Sequence, residues 1–318
     1  MLALSGLLLS ASLALAGCGS AADSKAGAPA SGGTPAAAGT DKQAAAAPRT
    51  LKDALGNQVQ IPAQPKRIIA PFLEDPLTAL GIKPVAQWSM QGNPQQYLQN
   101  ELKGIPSLNM TGGMKPEETL SYTPDLIIFP DASYLKGGAY ENFAKIAPTF
   151  VLSTDTKDWR GLVVKLGEVL GKKNEAEQAL QKHDRKLADA KEKLRSTVGE
   201  KTAVLLQGSN EKNFKLFGPE FYGGAVLYQG LGFKQPKVLK GDYETYSLET
   251  LAEMQDVDYI FVLSGPGRAK PPEDNSLWKN LPAVKQGHVF EADSGHWFNQ
   301  NVIANGLIVE DVLRYVAK

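Results

Sequence analysis

The chain has few of the residue types from which metal and redox sites are built. Its 318 residues include one cysteine and three histidines. A single thiol forms no disulfide and no thiolate metal site. His183 and His288 are predicted to be structural or solvated, so only His296 is well placed for a ligand site. This scarcity argues against a zinc or manganese cage, which needs several converging ligands.

The chain also lacks an excess of charge of either sign. Lys plus Arg and Asp plus Glu number 34 each, and no long run of one sign occurs. Proteins that bind nucleic acids normally carry a basic face. The composition therefore gives no reason to expect a nucleic acid as a partner.

Motifs of common enzyme classes are missing as well. The sequence has no nucleophile elbow, no zinc-protease motif and no complete dinucleotide fingerprint. Gly223-Gly224 and Gly230-x-Gly232 are spaced wrongly for a phosphate loop, and Gly265-Pro266-Gly267 lacks the Lys-Ser or Lys-Thr that would follow. The chain is therefore predicted not to be an enzyme, with an extracellular enzyme kept as the alternative from a different class.

The first residues predict export and lipid attachment. The apolar run 2–16 is shorter than the roughly 20 residues of a membrane-spanning helix, and it has the length of a signal-peptide core. It leads into Leu15-Ala16-Gly17-Cys18, which resembles the bacterial lipobox. Residues 1–17 are thus predicted to be a lipoprotein signal peptide and Cys18 the lipidation site. Two acyl chains there would hold the protein stably at the extracytoplasmic face of the cell membrane.

The leader departs from the usual pattern in one respect. Met1–Ala16 contains no Lys or Arg, although signal peptides normally open with one. Two interpretations stay open, namely an atypical leader and a true start codon upstream.

Composition and helical pattern divide the remaining chain into segments. Residues 18–49 are mostly Ala, Gly, Ser, Thr and Pro, which predicts a flexible tether. Residues 50–157 and 199–318 are predicted to be two α/β lobes. The helical linker 158–198 lies between them, and its uninterrupted stretch from Glu175 predicts a helix on the order of 35 Å long. Asn174 is predicted to be the N-cap of that helix.

The two lobes show a weak internal duplication. Each contains a Leu-Gly-hydrophobic-Lys segment, and each later contains a short helix that leads through Asp into a continuous apolar run. Such runs suit strands buried on both faces of a parallel sheet, and a Gly after a helical stretch suits a left-handed cap. The paired segments are Leu80–Lys83 with Leu231–Lys234, and Glu117–Phe129 with Ser247–Val262.

Together with Pro65-Lys66-Arg67-Ile68-Ile69 and Trp278–Val284, these segments resemble the siderophore-binding lipoproteins of ABC importers, a group that includes vitamin B12-binding and some haem-binding proteins. The resemblance covers residues 50–318. It implies two Rossmann-like α/β lobes joined by a single long helix, a ligand cleft between the lobes and little hinge motion. It also implies a monomer that binds a ferric siderophore and delivers it to an ABC permease.

The resemblance also implies one exposed glutamate on each lobe that pairs with arginines of the permease. By position these match Glu117 and Glu249, although the Glu-Thr-Leu repeat would favour Glu118 over Glu117. Two distant carboxylates on a rigid body would fix a single docking orientation.

The ligand is expected beyond the carboxyl ends of the strands. Aromatic residues outnumber cationic ones in those loops, which favours a nearly neutral ferric hydroxamate, or a mixed citrate-hydroxamate ligand, over a polyanionic catecholate. No resident cofactor is expected, since the siderophore supplies the iron's ligands. Haem, held by Met90 or Met114 with His296, and cobalamin remain alternatives. The candidate ligand-binding residues are Trp88, Tyr97, Lys115, Phe217, Tyr222, Arg268, His296 and Trp297.

Overall fold

The computed structural model describes residues 47–135, 139–155, 157–208 and 212–317. The predicted signal peptide, Cys18 and the tether as far as residue 46 lie outside the described residues. No helix in the described ranges is long and apolar enough to cross a membrane.

The N-terminal lobe is built on a parallel sheet of order β3-β7-β8. Its central strand β7 is a run of six buried residues, as the continuous apolar sequence predicts. A second small sheet of order β5-β4-β6 and the hairpin β1-β2 lie beside it. The elements are β1 Arg49–Lys52, β2 Gln58–Ile61, β3 Ile68–Ile69, α1 Glu74–Ala79, β4 Gln87–Met90, β5 Asn93–Pro94, α2 Gln99–Leu102, β6 Ser107–Asn109, α3 Pro116–Ser121, β7 Leu126–Asp131, α4 Ala139–Ala144, β8 Thr149–Ser153 and α5 Trp159–Leu170, with 3₁₀ turns at Gln96–Leu98 and Ala132–Tyr134.

One long helix follows, α6 Lys173–Val198. The prediction that Asn174 caps it is wrong, because helical geometry begins one residue earlier and Lys172 occupies the N-cap without a side-chain hydrogen bond. Gly171 ends α5 with φ 69°, a left-handed conformation that glycine adopts without steric cost.

The C-terminal lobe contains a mixed sheet of order β11-β10-β9-β12-β13. Strands β9, β12 and β13 are parallel, whereas β10 and β11 pair antiparallel at one edge. The elements are β9 Ala203–Gly208, β10 Asn213–Phe217, α7 Tyr222–Ala225, β11 Tyr243–Ser247, β12 Tyr259–Ser264, α8 Ser276–Lys279, α9 Pro282–Lys285, β13 Val289–Asp293, α10 Ser294–Trp297 and α11 Val302–Val316, with a π-helical turn at Val226–Leu231 and a 3₁₀ segment at Leu248–Glu253.

The duplication seen in sequence corresponds to equivalent pieces of structure. Gly81 and Gly232 both have positive φ, at 73° and 86°, which confirms the predicted left-handed ends of the helical stretches before them. The two apolar runs form β7 and β12, and each is an interior strand of its sheet.

Two helices cross from one lobe to the other. In α6, Ala176 packs in the N-terminal core, whereas Ala190 and Leu194 pack in the C-terminal core. In α11, Val302 packs against the N-terminal core and Ile308 packs in the C-terminal core. The long connecting helix predicted from sequence is therefore confirmed, and α11 provides a second crossing that the sequence pattern did not reveal.

The start of α11 is capped from the opposite lobe. Asp75 in α1 accepts hydrogen bonds from Ile303 N and Ala304 N, both at 2.9 Å, and from the Tyr97 hydroxyl at 3.0 Å. The N-cap residue Asn301 itself makes no side-chain cap bond. Asp75 is 1% exposed, so its carboxylate satisfies buried donors of both lobes.

We predict that Asp75→Ala lowers the free energy of unfolding by about 3 kcal/mol, because it leaves buried donors without an acceptor. Tyr97→Phe, which removes one hydroxyl, should cost about 1 kcal/mol. Urea unfolding at pH 8 measures both, since burial raises the Asp75 pKa only to about 6 and the carboxyl is ionised there.

Asp158→Ala is the matched control, because Asp158 caps the exposed start of α5 within one lobe by accepting from Gly161 N. Loss of this cap should lower the free energy of unfolding by about 1 kcal/mol. An Asp75→Ala variant no less stable than this control would contradict the importance of the cap between the lobes.

Candidate functional site

The lobes enclose a cleft of about 1180 Å³. It lies beyond the carboxyl ends of strands β4, β7, β12 and β13, where α/β sheets usually bind ligands. Its lining residues are Phe72, Leu73, Trp88, Met90, Gln91, Asn93, Pro94, Gln95, Gln96, Pro130, Asp131, Ser133, Tyr134, Lys157, Trp159, Leu162, Glu220, Phe221, Tyr222, Pro266, Gly267, Arg268, Asp293, Ser294, Gly295, Phe298, Asn299, Gln300 and Asn301.

Aromatic rings form walls on both sides of this cleft. On the N-terminal lobe, Phe72 lies 4.6 Å from Tyr134 and 5.6 Å from Trp88, measured between ring centroids. On the C-terminal lobe, Tyr222 lies 4.3 Å from Phe298. These packed pairs present broad apolar surfaces to a ligand with little rotational freedom to lose on binding.

One aromatic residue in each wall has an uncommon backbone conformation. Phe72 has φ 68° and Tyr222 has φ 48°, a region that bulky side chains rarely adopt. Such conformations cost free energy and concentrate at functional sites. Their presence on both walls of one cleft makes this cleft the candidate functional site.

The charged groups of the cleft are few and partly paired. Lys157 forms an ion pair with Glu220 from the other lobe. The Arg268 guanidinium lies over the Phe298 ring, 4.4 Å from its centroid, in a cation–π contact. Asp131 and Asp293 are the remaining charged residues of the lining.

Behind the N-terminal wall lies a buried acid. Glu74 is 1% exposed, and its Oε1 accepts a hydrogen bond from Trp88 N at 2.6 Å. Its Oε2 is buried and has no hydrogen-bond partner. Burial raises the pKa of Glu74 to about 7, opposed by its backbone hydrogen bonds, because a charged carboxylate is disfavoured away from water.

Three of the residues predicted from sequence lie together in the cleft. Trp88, Tyr222 and Arg268 all belong to its lining. Trp88 lies in β4 of the small N-terminal sheet, Tyr222 begins α7, and Arg268 lies in the loop after β12.

Two predicted aromatic contacts are corrected by the structure. Trp297 and Phe217 are both fully buried in the C-terminal core. The Trp297 ring stacks on Phe261 at 5.1 Å, and its Nε1 donates to the Asp311 carboxylate at 2.9 Å. The next residue, Phe298, points into the cleft instead, since successive residues of a short helix face different directions.

The other three predicted residues also lie outside the cleft lining. Tyr97 contributes to the Asp75 cap, and Lys115 is exposed at the start of α3. His296 is buried and shares a 2.7 Å hydrogen bond with Asp311. These positions follow the expected strand ends in sequence, but their side chains turn away from the cavity.

The sequence interpretation missed several wall residues. Phe72, Tyr134, Trp159 and Phe298 line the cleft, as does Asp131 at the end of β7. The segment containing Phe72 and the Pro130-Asp131 pair could be placed at strand ends from sequence, but side-chain direction could not.

The proposed docking glutamates occupy equivalent places outside the cleft. Glu117 lies in the first turn of α3 and Glu249 in the first turn of the 3₁₀ segment 248–253, and both are exposed. A hydrogen bond from the Ser247 side chain lowers the pKa of Glu249. Glu118 differs from both, because its Oε1 accepts from Asn109 N at 3.0 Å.

Across the ranges 47–135, 139–155, 157–208 and 212–317, no group of three or more His, Cys, Asp or Glu side chains is arranged to hold a metal ion.

Comparison with known proteins identifies close relatives. A family model described as "Periplasmic binding protein" matches residues 74–295. The iron(3+)-hydroxamate-binding protein FhuD of Bacillus subtilis is 33% identical over 309 residues, which cover 92% of this chain and 90% of that protein.

Solved structures show the same architecture. A Bacillus subtilis protein of the FhuD fold family, described as a component of a ferrichrome ABC transporter, has a TM-score of 0.71 and 28% identity, covering 84% of this chain and all of that one. Staphylococcus aureus SirA, solved with staphyloferrin B, has a TM-score of 0.69 and 25% identity, covering 84% and 98% of the two chains.

We predict that Glu74→Gln flattens the pH dependence of stability between pH 5 and 8. The raised pKa means that the folded state holds this proton more tightly than the unfolded chain. The resulting stabilisation is complete below about pH 4.5 and is lost as pH rises through about 7, with an amplitude on the order of 3 kcal/mol. Urea unfolding at several pH values measures this change in the free energy of unfolding.

Glu141→Gln, at an exposed position of α4, is the control and should keep the wild-type pH profile. Identical profiles for wild type and Glu74→Gln would show that the buried acid does not titrate in this range.

Proposed function

This chain belongs to the periplasmic binding protein family, and we propose from this premise that it captures a ferric siderophore, preferably of the hydroxamate type, and delivers it to an ABC importer for iron uptake. The observation that carries the proposal is the cleft between the lobes, with aromatic walls on both sides and few cations. The relatives named for ferric hydroxamates and for a ferrichrome transporter support the same ligand class.

The charges of the cleft support a hydroxamate over a catecholate. A ferric tris-catecholate complex carries several negative charges and requires several cations for recognition. The described lining contains two cations, Lys157 and Arg268, and Lys157 is already paired with Glu220. A nearly neutral complex fits such a cleft better, because its outer surface packs on aromatic rings.

The frame around the cleft supports binding without large domain motion. Both α6 and α11 pack in the cores of the two lobes, and the Asp75 cap ties the lobes at a buried point. Bending at the cleft would break these contacts. We therefore propose a largely preformed site, which lowers the conformational cost of binding.

No specific observation favours the haem alternative. The proposed axial ligand His296 shares a hydrogen bond with Asp311 inside the C-terminal lobe. Met114 packs against the N-terminal core, and of the three candidates only Met90 lines the cleft.

The exposed acids outside the cleft support a docking role. Glu117 and Glu249 stand at equivalent places of the two lobes, and both are exposed, so that they can pair with cations of a permease. Glu118 is a weaker candidate, because its carboxylate already accepts a backbone hydrogen bond. The sequence at Cys18 further supports a lipid anchor on the extracytoplasmic face, with the folded part acting as a monomer.

We predict saturable quenching of tryptophan fluorescence by ferrichrome at sub-micromolar concentration, and none by a ferric tris-catecholate, ferric citrate, haem or cobalamin. Trp88 and Trp159 line the cleft, whereas Trp278 and Trp297 are buried in the C-terminal core. Trp88→Phe should therefore remove much of the quenching, and Trp278→Phe should not.

Free tryptophan in the same solutions corrects for absorption by the iron complexes. Saturation by haem or cobalamin alone would keep the transport class and change the cargo. Saturation by no compound would contradict the proposed function.

We predict that the double variant Glu117→Ala, Glu249→Ala binds ferrichrome with unchanged affinity but lowers uptake at least about tenfold in cells with the cognate permease. Uptake of radiolabelled iron measures the second quantity. Glu118→Ala is the matched control and should transport normally. A double variant that binds more weakly in solution would assign these acids to ligand binding instead of docking.

A further inference from the structure

A buried acid in the cleft lacks a cationic partner. Asp131 ends β7, the central strand of the N-terminal sheet, and it is among the residues that line the cleft. It is 6% exposed. Among the described residues, no Lys, Arg or His lies within ion-pairing distance of its carboxylate.

Its local hydrogen bonding does not explain a charged group at this position. Asp131 Oδ1 accepts from Ser133 N at 2.7 Å and thereby caps the 3₁₀ turn 132–134. Asn or Ser would cap the turn equally well. An ionised carboxylate instead carries a desolvation cost that a neutral side chain avoids, so the charge calls for a partner that arrives from outside the chain.

The surroundings of Asp131 suit a cation. Tyr134 lies three residues further along, and Phe72 packs against its ring at 4.6 Å. Asp131, Tyr134 and Tyr222 all line the same cleft, and burial, with smaller contributions from Asp131 and Tyr222, raises the pKa of Tyr134 to about 12. Ring faces attract an ammonium group, and most strongly where water is excluded.

The net charge of the cleft lining also favours a cationic ligand. The described lining contains two cations, Lys157 and Arg268, and three acids, Asp131, Glu220 and Asp293. Glu220 neutralises Lys157, and Arg268 is stacked on Phe298. Asp293 is exposed and caps α10 through Gly295 N. The lining therefore contains one more acid than cations, so a positively charged ligand is favoured over an anionic one.

We propose that Asp131 binds a protonated amine of the transported ligand, and hence that the preferred cargo is a linear ferric trihydroxamate ending in a primary ammonium group. This inference rests on the proposed function. It narrows that function, because neutral cyclic hydroxamates lack the group that Asp131 would recognise. The ferric centre packs on the aromatic walls, and the ammonium end lies between the Asp131 carboxylate and the Tyr134 ring.

A matched pair of ligands tests the role of the charge. Ferrioxamine B is a linear ferric trihydroxamate with a free primary amine, and N-acetyl ferrioxamine B is the same complex with the amine neutralised. Wild type should bind the amine form more tightly by at least about tenfold, the range of a charge-assisted hydrogen bond. Titration calorimetry of residues 47–318 measures both dissociation constants.

A matched pair of variants assigns the effect to one residue. Asp131→Asn keeps the shape and the acceptor for Ser133 N but removes the charge. It should weaken binding of the amine form by about tenfold to a hundredfold and change binding of the acetylated form less than about threefold. Asp293→Asn removes the exposed acid of the same cleft and should leave the preference for the amine form in place.

The outcomes separate the two proposals. Equal binding of both ligands by wild type, or an equal loss for both ligands in Asp131→Asn, would overturn the ammonium site and leave the siderophore function intact. Failure of wild type to bind either ligand or ferrichrome would overturn the proposed function itself, and this inference with it. The melting temperature of unliganded Asp131→Asn should stay close to that of wild type, because asparagine keeps the acceptor for Ser133 N.

Discussion

The cap that Asp75 provides for α11 is the contact on which the rest of the architecture depends. A carboxylate of the N-terminal lobe satisfies the first free N–H groups of a helix whose later turns belong to the C-terminal core. Buried donors and acceptors must be paired, so separating the lobes at this point would leave unsatisfied groups on both. Together with α6, this contact joins the two lobes that form the walls of the cleft.

The joined lobes place aromatic residues on both walls of the cleft. The positive φ values of Phe72 and Tyr222 are tolerated because the surrounding packing determines them, and they place aromatic faces on opposite walls. The charged residues of the cleft are held by contacts of their own. Arg268 is held on Phe298, and Asp131 is held at the end of β7 by Ser133 N, so a ligand with a charge of its own meets a defined pattern.

Much of the fold could be predicted from local pattern. The apolar runs that became β7 and β12, the glycine-ended helical stretches and the uninterrupted helix before residue 199 all follow from periodicity and capping. The second crossing helix could not be predicted in that way. The sequence from Val302 to Val316 does not indicate that the first turn of this helix is capped by a residue more than 200 positions earlier.

Only part of the candidate site could be predicted from sequence, because the direction of a side chain also depends on tertiary packing. Trp88, Tyr222 and Arg268 line the cleft as expected. Trp297 is buried in the core and the next residue, Phe298, lines the cleft, because neighbouring residues of a short helix point in different directions. The sequence by itself determined the family, the order of the lobes and the scarcity of charged residues in the loops around the cleft. Only the tertiary structure decided which side chains face the cavity and which acid stands unpaired, because burial and pairing depend on contacts between residues far apart in the chain.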